Sequence, residues 1–208
     1  MLEILSNLII HFIQTSGYLG IFILMTLESA LIPIPSEVTM PFSGFLVTKG
    51  VLSLWPVILA GTLGNLIGSL IAYGIGFYLE ETVILSLVEK YGKFILMTKE
   101  DYSKSVAWFK KYGNSIVFFS RLLPAIRTFI SLPAGLAEMN IWKFSIYTFV
   151  GSFIWSSFLA MIGVYLGNNW KGLEVYFRKF ELVIGVLLIF GVLFYLNHKL
   201  KIVKIKIF

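Results

Sequence analysis

From Leu52 to Leu79 the chain carries no charged side chain. That run is long enough to cross the hydrocarbon core of a bilayer, which takes about 20 apolar residues in a helix. Within it Ala60, Gly64, Gly68, Ala72 and Gly76 put a small residue at every fourth position. On a helix they form one smooth face that a neighbouring backbone can approach closely, so the ladder reads as packing and not as chemistry. Composition points the same way: of 208 residues 58% are hydrophobic and 13% charged, with a mean hydropathy of +0.87. Water-soluble domains carry about 25% charged residues. The fold class expected is an all-α membrane protein.

The whole chain, 1–208, reads as a single membrane domain. A first half covers about 17–80, a surface linker 81–113 and a second half about 114–167. A final span follows at 181–197, with a basic tail at 198–208. Residues 2–15 mix apolar positions with Asn7, His11 and Gln14 at helical spacing, which suggests an interfacial helix. Met1-Leu2-Glu3 lacks the basic start of a secretory signal, so this helix is expected to be retained. The apolar pieces Tyr18 to Leu27 and Val38 to Val47 are each too short to span and are interrupted by prolines, so they read as a short helix leading into a re-entrant hairpin. Residues 80–113 hold six lysines and five acids, an amphipathic helical segment on the membrane surface. A second interrupted stretch, Ser115 to Leu136, precedes an unbroken span at about 141–167.

The net charge of +6 is concentrated at the end of the chain, where His198 to Lys206 holds four lysines and no acid. Under the positive-inside rule the C-terminus is cytoplasmic, in a multi-pass protein of the inner (cytoplasmic) membrane. The basic segments lie beside spans rather than on a polar surface, which argues against nucleic acid as a partner. No cysteine is present, which excludes disulfides, thiolate metal sites and cysteine nucleophiles. No motif calls for a metal or a cofactor.

The halves resemble each other. Gly64, Gly76, Tyr78 and Leu79 recur 87 residues later as Gly151, Gly163, Tyr165 and Leu166, and Met40 to Gly44 parallels Leu132 to Gly135. Each half reads as a broken segment, a Pro–Gly turn and a long glycine-bearing span. With the C-terminal lysines inside, the two hairpins enter from opposite faces, an inverted repeat of two opposed re-entrant helical hairpins. Such paired broken segments are a sequence pointer to a midplane binding site. The breaks are assigned to Pro33, Pro35 and Gly44 in the first half and to Pro124, Pro133 and Gly135 in the second.

Charge separates the halves. Glu28 and Glu37 flank the first break; Arg121 and Arg127 flank the second. Each costs about 2.5–3.5 kcal/mol at bilayer depth, so each is a candidate functional residue. A structural role as buried salt bridges is the competing reading. Only three of the seventeen basic residues are arginine, and two of those three are here. Arginine's planar fork binds phosphate bidentately and stays charged when buried, which assigns Arg121 and Arg127 to substrate phosphate. The carboxyl groups of Glu28 and Glu37 could exchange protons as a phosphate arrives or leaves.

At these residues the sequence resembles the DedA family, bacterial members of a superfamily that includes eukaryotic lipid scramblases. The motifs are Glu28-x4-Pro33-x-Pro35-x-Glu37 with Gly44 downstream, and Phe119-Ser120-Arg121-x2-Pro124-x2-Arg127-x7-Gly135. The resemblance covers about residues 17 to 195. It implies opposed re-entrant hairpins and movement of lipids, including undecaprenyl phosphate, the polyprenyl phosphate carrier of cell-wall synthesis. It also implies that Glu28, Glu37, Arg121 and Arg127 stand at the family's essential acids and arginines. Ser36 departs from the family's usual glycine before the acid, and Ser120 from its usual glycine before the first arginine.

The function expected is therefore a flippase or scramblase of anionic lipids, undecaprenyl phosphate or a phospholipid, with protons as a coupled partner and no enzymatic activity. A proton-dependent ion or small-molecule antiporter could use the same four charges. An intramembrane lipid phosphatase would need a histidine nucleophile where Arg127 stands. The small-residue ladder leaves a homodimer open.

Overall fold

The computed structural model describes residues 2–32, 34–79, 99–123 and 126–169, and its regular elements are all helices. The linker over 81–98, Pro33, Pro124, the span expected at 181–197, the tail 198–208 and His198 lie outside the described residues.

The segment α1, Leu2–Ser29, is two helices that meet at Gly17, in agreement with a separate helix over 2–15 followed by a short one. In the first of them Asn7, His11 and Gln14 are exposed while Ile9 and Ile13 are buried. The first helix stops at Gly17 (φ 56°, ψ −131°), a conformation that glycine adopts without steric cost, and the chain turns there so that Gly20 packs against Phe12 and Ile13. Ser6–Ser29 is long and apolar enough to cross a membrane by length and composition, with the break at Gly17 inside it.

Leu31 (φ 74°) ends α1 in the left-handed conformation usual for glycine, with the Ile32 N–H donating to the Leu27 carbonyl at 3.1 Å. Pro35 then leads into α2, Ser36–Thr48. Gly50 (φ 70°) closes α2 with the same kind of turn. Helix α3, Leu54–Tyr78, matches the charge-free run. Helix α4, Lys99–Ser120, passes without a break over the boundary drawn between 113 and 114. Two short helices follow, α5 (Ile126–Phe129) and α6 (Ser131–Leu136). Glu138 (φ 53°) turns the chain after α6, and the Asn140 side chain caps α7, Ile141–Leu166, by accepting from the N–H groups of Trp142 and Lys143 at 3.1 and 3.2 Å. Three stretches among the described residues are long and apolar enough to cross a membrane: Ser6–Ser29, which turns at Gly17, Leu54–Tyr78 and Ile141–Asn169.

The ladder on α3 is used within the chain. A side chain on Gly64 or Gly68 would collide with the α1 backbone at Phe22 and Thr26, and one on Gly76 with the α6 backbone at Leu132. Two further contacts correct the assignment of Gly44, Gly135 and Pro133 as breaks, because all three lie inside helices. Gly44 packs against the Ala160 carbonyl and Gly163 of α7, and Gly163 against Pro41 of α2. Gly135 packs against the Tyr73 carbonyl and Gly76 of α3, and Gly76 against Leu132 of α6. These glycines serve close backbone approach and not turning. Pro133 stands in the first turn of α6, where its missing N–H would have no helical partner.

Candidate functional site

The end of α1, the start of α2 and the stretch between α4 and α6 converge on one buried cluster. Glu28 is in the last turn of α1, and Ser36 and Glu37 open α2. Arg121 follows α4, Arg127 lies on α5 and Ser131 opens α6. Glu28, Glu37, Arg121 and Arg127 are all buried, none more than 8% exposed.

Arg127 pairs with Glu28, and the same terminal nitrogen, Nη2, donates to the Ser36 hydroxyl. One ion pair thus ties the loop after α1 to the region after α4. Its guanidinium also lies 5.6 Å from the Trp155 ring of α7, within reach of a cation–π attraction. Glu37, in the first turn of α2, is close enough to Glu28 for their charges to interact. A carboxylate in the first turn also suits the positive end of the helix.

Arg121 has a different set of partners. Its Nη1 donates to the Ser69 hydroxyl of α3 at 2.8 Å and to the Arg127 carbonyl at 2.9 Å, and its Nη2 to the Ser131 hydroxyl at 2.8 Å. The guanidinium lies 5.6 Å from the Phe144 ring. Its stem fills the space over Gly151, where a Cβ would come within 2.6 Å of the Arg121 Cβ. Beside the cluster Ser29 donates to Asn65 Oδ1 at 2.6 Å. Glu28 Oε2, Arg121 Nε and Asn65 Nδ2 have no hydrogen-bond partner among the described residues, which leaves an acceptor and two donors for a polar guest. The described residues contain no cluster of side chains able to hold a metal ion.

The four charges singled out from the sequence therefore lie in one region. Pro35 stands at the N-cap of α2, beside them. Missing from the sequence reading were Ser36, Ser69, Ser131 and Asn65, and the rings of Phe144 and Trp155. A signal existed for two of them: Asn65 and Ser69 are one turn apart on α3, both buried and polar in an apolar helix.

The model of the VTT domain matches residues 34–165, which include Glu37, Arg121 and Arg127. The chain belongs to the VTT-domain, or DedA, family. Among relatives of this VTT-domain chain is the uncharacterized membrane protein YkoX of Bacillus subtilis, 38% identical over 186 residues, or 89% of this chain and 80% of the relative. A protein of Lactococcus lactis subsp. cremoris named alkaline phosphatase-like protein is 36% identical over 200 residues, 94% of each chain. Undecaprenyl phosphate transporter A of Staphylococcus aureus is 32% identical over 199 residues, 94% of this chain and 98% of the relative. No solved structure matches the chain. With three membrane-crossing helices and membrane proteins as relatives, this VTT-domain chain is a multi-pass membrane protein.

Proposed function

We propose that this chain is a flippase or scramblase that moves an anionic lipid, undecaprenyl phosphate or a phospholipid, between the leaflets of the inner membrane. The observation that carries the reading is the ion pair of Arg127 with Glu28. A lipid phosphate offers Arg127 the same charge and more acceptor oxygens than the carboxylate, so it can take the place of Glu28. A buried carboxylate deprived of its counter-charge is costly in a medium of low dielectric, and a proton removes that cost. Phosphate arrival would thus load a proton on Glu28 or its neighbour Glu37, and departure would release it. Arg121 is the second phosphate ligand, held ready by two hydroxyls and a carbonyl.

The matched backbone contacts support an inverted repeat of two opposed re-entrant hairpins. Tyr73 and Gly76 correspond to Ala160 and Gly163 at the 87-residue repeat, and Pro41 and Gly44 share one further separation from Leu132 and Gly135. Each short helix beside a break packs on the long helix of the other half. In that arrangement the charged cluster lies near mid-membrane, with the C-terminus on the cytoplasmic side. The cargo is supported by the relative named undecaprenyl phosphate transporter A. An enzymatic role is disfavoured by Ser120, whose hydroxyl is buried and donates back to the Val117 carbonyl at 2.9 Å.

The test is leaflet exchange of a labelled polyprenyl phosphate in proteoliposomes, with inorganic phosphate release followed in parallel. Wild type should exchange the lipid, and Arg127→Ala and Glu37→Gln, checked for folding, should lose exchange. Exchange that ignores an imposed pH gradient of either sign sinks the proton coupling. Wild-type liposomes that match empty ones for every lipid tried, yet carry an ion, would replace the reading by an antiporter.

A further inference from the structure

Two hollows meet at the turn between α6 and α7, and none of the four buried charges lines either of them. One is a cavity of about 250 Å³ bordered by Lys110, Lys111 and Asn114 of α4 and Lys143 of α7. The other is an apolar groove of about 430 Å³ along the end of α3, bordered by Leu70, Gly74, Phe77 and Ile141. Glu138, Met139 and Asn140 border both, which sets a basic compartment next to an apolar one. That is the shape complement of an amphiphile with a small anionic head.

We propose that this paired hollow is a second lipid site, in which a phosphate monoester head rests among Lys110, Lys111 and Lys143 and the first carbons of its chain lie along α3. Its position suits that occupant. Ile141 begins the apolar run of α7, so Lys143 stands at the end of a membrane-crossing helix. Trp142 is 76% exposed and Trp108 58% exposed on the same end, as indoles are at the membrane–water boundary. Basic pockets between helices at that level are where anionic heads bind.

Two more features belong to the site. Three lysines outnumber the one acid, Glu138, whose backbone is held in the left-handed region (φ 53°). Strain of that kind in a non-glycine residue concentrates at binding sites. The Tyr73 hydroxyl donates to the Met139 carbonyl at 2.5 Å and so fixes the shared wall to α3. Lysine is a flexible point charge, unlike the forked guanidinium of the central site, which fits a station that holds a head loosely before transfer. The proposal rests on the lipid reading only for that transfer step; binding itself can be measured without transport.

The experiment places the protein in phosphatidylcholine nanodiscs and reads acylation of each lysine by mass spectrometry, with farnesyl phosphate, farnesol or inorganic phosphate added. Farnesyl phosphate should protect Lys110, Lys111 and Lys143 and leave Lys49, at the end of α2, unchanged; the other two probes should protect none. Protection by inorganic phosphate alone, or equal protection of Lys49, overturns the lipid site. Lys143→Gln should weaken farnesyl phosphate retention roughly fivefold. Gly74→Phe fills the groove, and a Cβ at Gly74 has nothing within 4 Å, so the side chain starts into open space; its folding is checked by thermal unfolding. It should abolish protection while all three lysines remain; protection that survives it overturns the proposal. Retention without leaflet exchange would leave this site standing and sink the transport reading instead.

Discussion

Arg121 and Arg127 are both buried and each lies 5.6 Å from an aromatic ring, yet their polar partners differ in kind. Arg127 is neutralised by a carboxylate, Glu28, across two separate breaks in the chain. Arg121 is surrounded by dipoles: two serine hydroxyls and the backbone carbonyl of Arg127 itself. A carboxylate can be displaced by another anion, whereas a ring of dipoles positions a charge without cancelling it. On the proposed reading this difference gives exchange to Arg127 and positioning to Arg121. The carbonyl link also makes the pair a unit, since moving Arg127 moves an acceptor of Arg121.

The sharpest way to break this contrast is a double-mutant cycle on the ion pair. Arg127→Ala strips Glu28 of its counter-charge and should cost up to about 3–5 kcal/mol of stability, less as the pH falls and a proton neutralises the carboxyl, read by thermal unfolding in detergent. Glu28→Ala combined with Arg127→Ala should recover a large part of that loss while lipid exchange stays absent. If the double variant is no more stable than the single one, the pair is not what holds these breaks together, and Arg127 has the same dipolar role as Arg121.

A smaller effect separates the arginines by geometry. Arg121→Lys keeps the charge but replaces the planar fork, whose two nitrogens meet Ser69 and Ser131, by a single ammonium, so that matched geometry is lost. Stability should fall by about 1–3 kcal/mol, the cost of one buried polar group left unpaired. Exchange should slow and not vanish, because Arg127 still meets the phosphate. A complete loss of exchange in a folded Arg121→Lys protein would make Arg121 the primary ligand and reverse the assignment.

The same contrast marks what is legible in the amino-acid sequence. Charged side chains in apolar runs are conspicuous, so Glu28, Glu37, Arg121 and Arg127 stand out from their neighbours along the chain, and so do the apolar runs of α3 and α7. The dipoles around Arg121 do not: serine is common in membrane helices and carries no mark of the partner it will meet. The division of α1 is legible too: Asn7, His11 and Gln14 form one polar stripe that ends before Gly17, where the two helices meet. Gly44 and Gly135 mislead for a physical reason. A glycine near a proline serves a turn or a close contact equally well, and the choice between them rests with Ala160 and Tyr73, distant residues whose carbonyls occupy the space a side chain would need.

The smallest effect concerns the turn that presents Glu28 to Arg127. Leu31 holds a left-handed conformation that costs a β-carbon-bearing residue roughly 1–2 kcal/mol, and Gly50 closes α2 in the same kind of turn without that cost. Leu31→Gly should therefore raise stability by about 0.5–1 kcal/mol after the extra freedom of glycine in the unfolded chain is counted. The turn is set by the Ile32 N–H to Leu27 carbonyl bond, which glycine keeps, so Glu28 should stay on Arg127 and lipid exchange should be unchanged. Exchange that rises or falls in a more stable Leu31→Gly protein would mean that the strain acts on the ion pair. The carboxylate would then be held under tension for release, and the contrast with the unstrained dipoles of Arg121 would extend from charge to backbone.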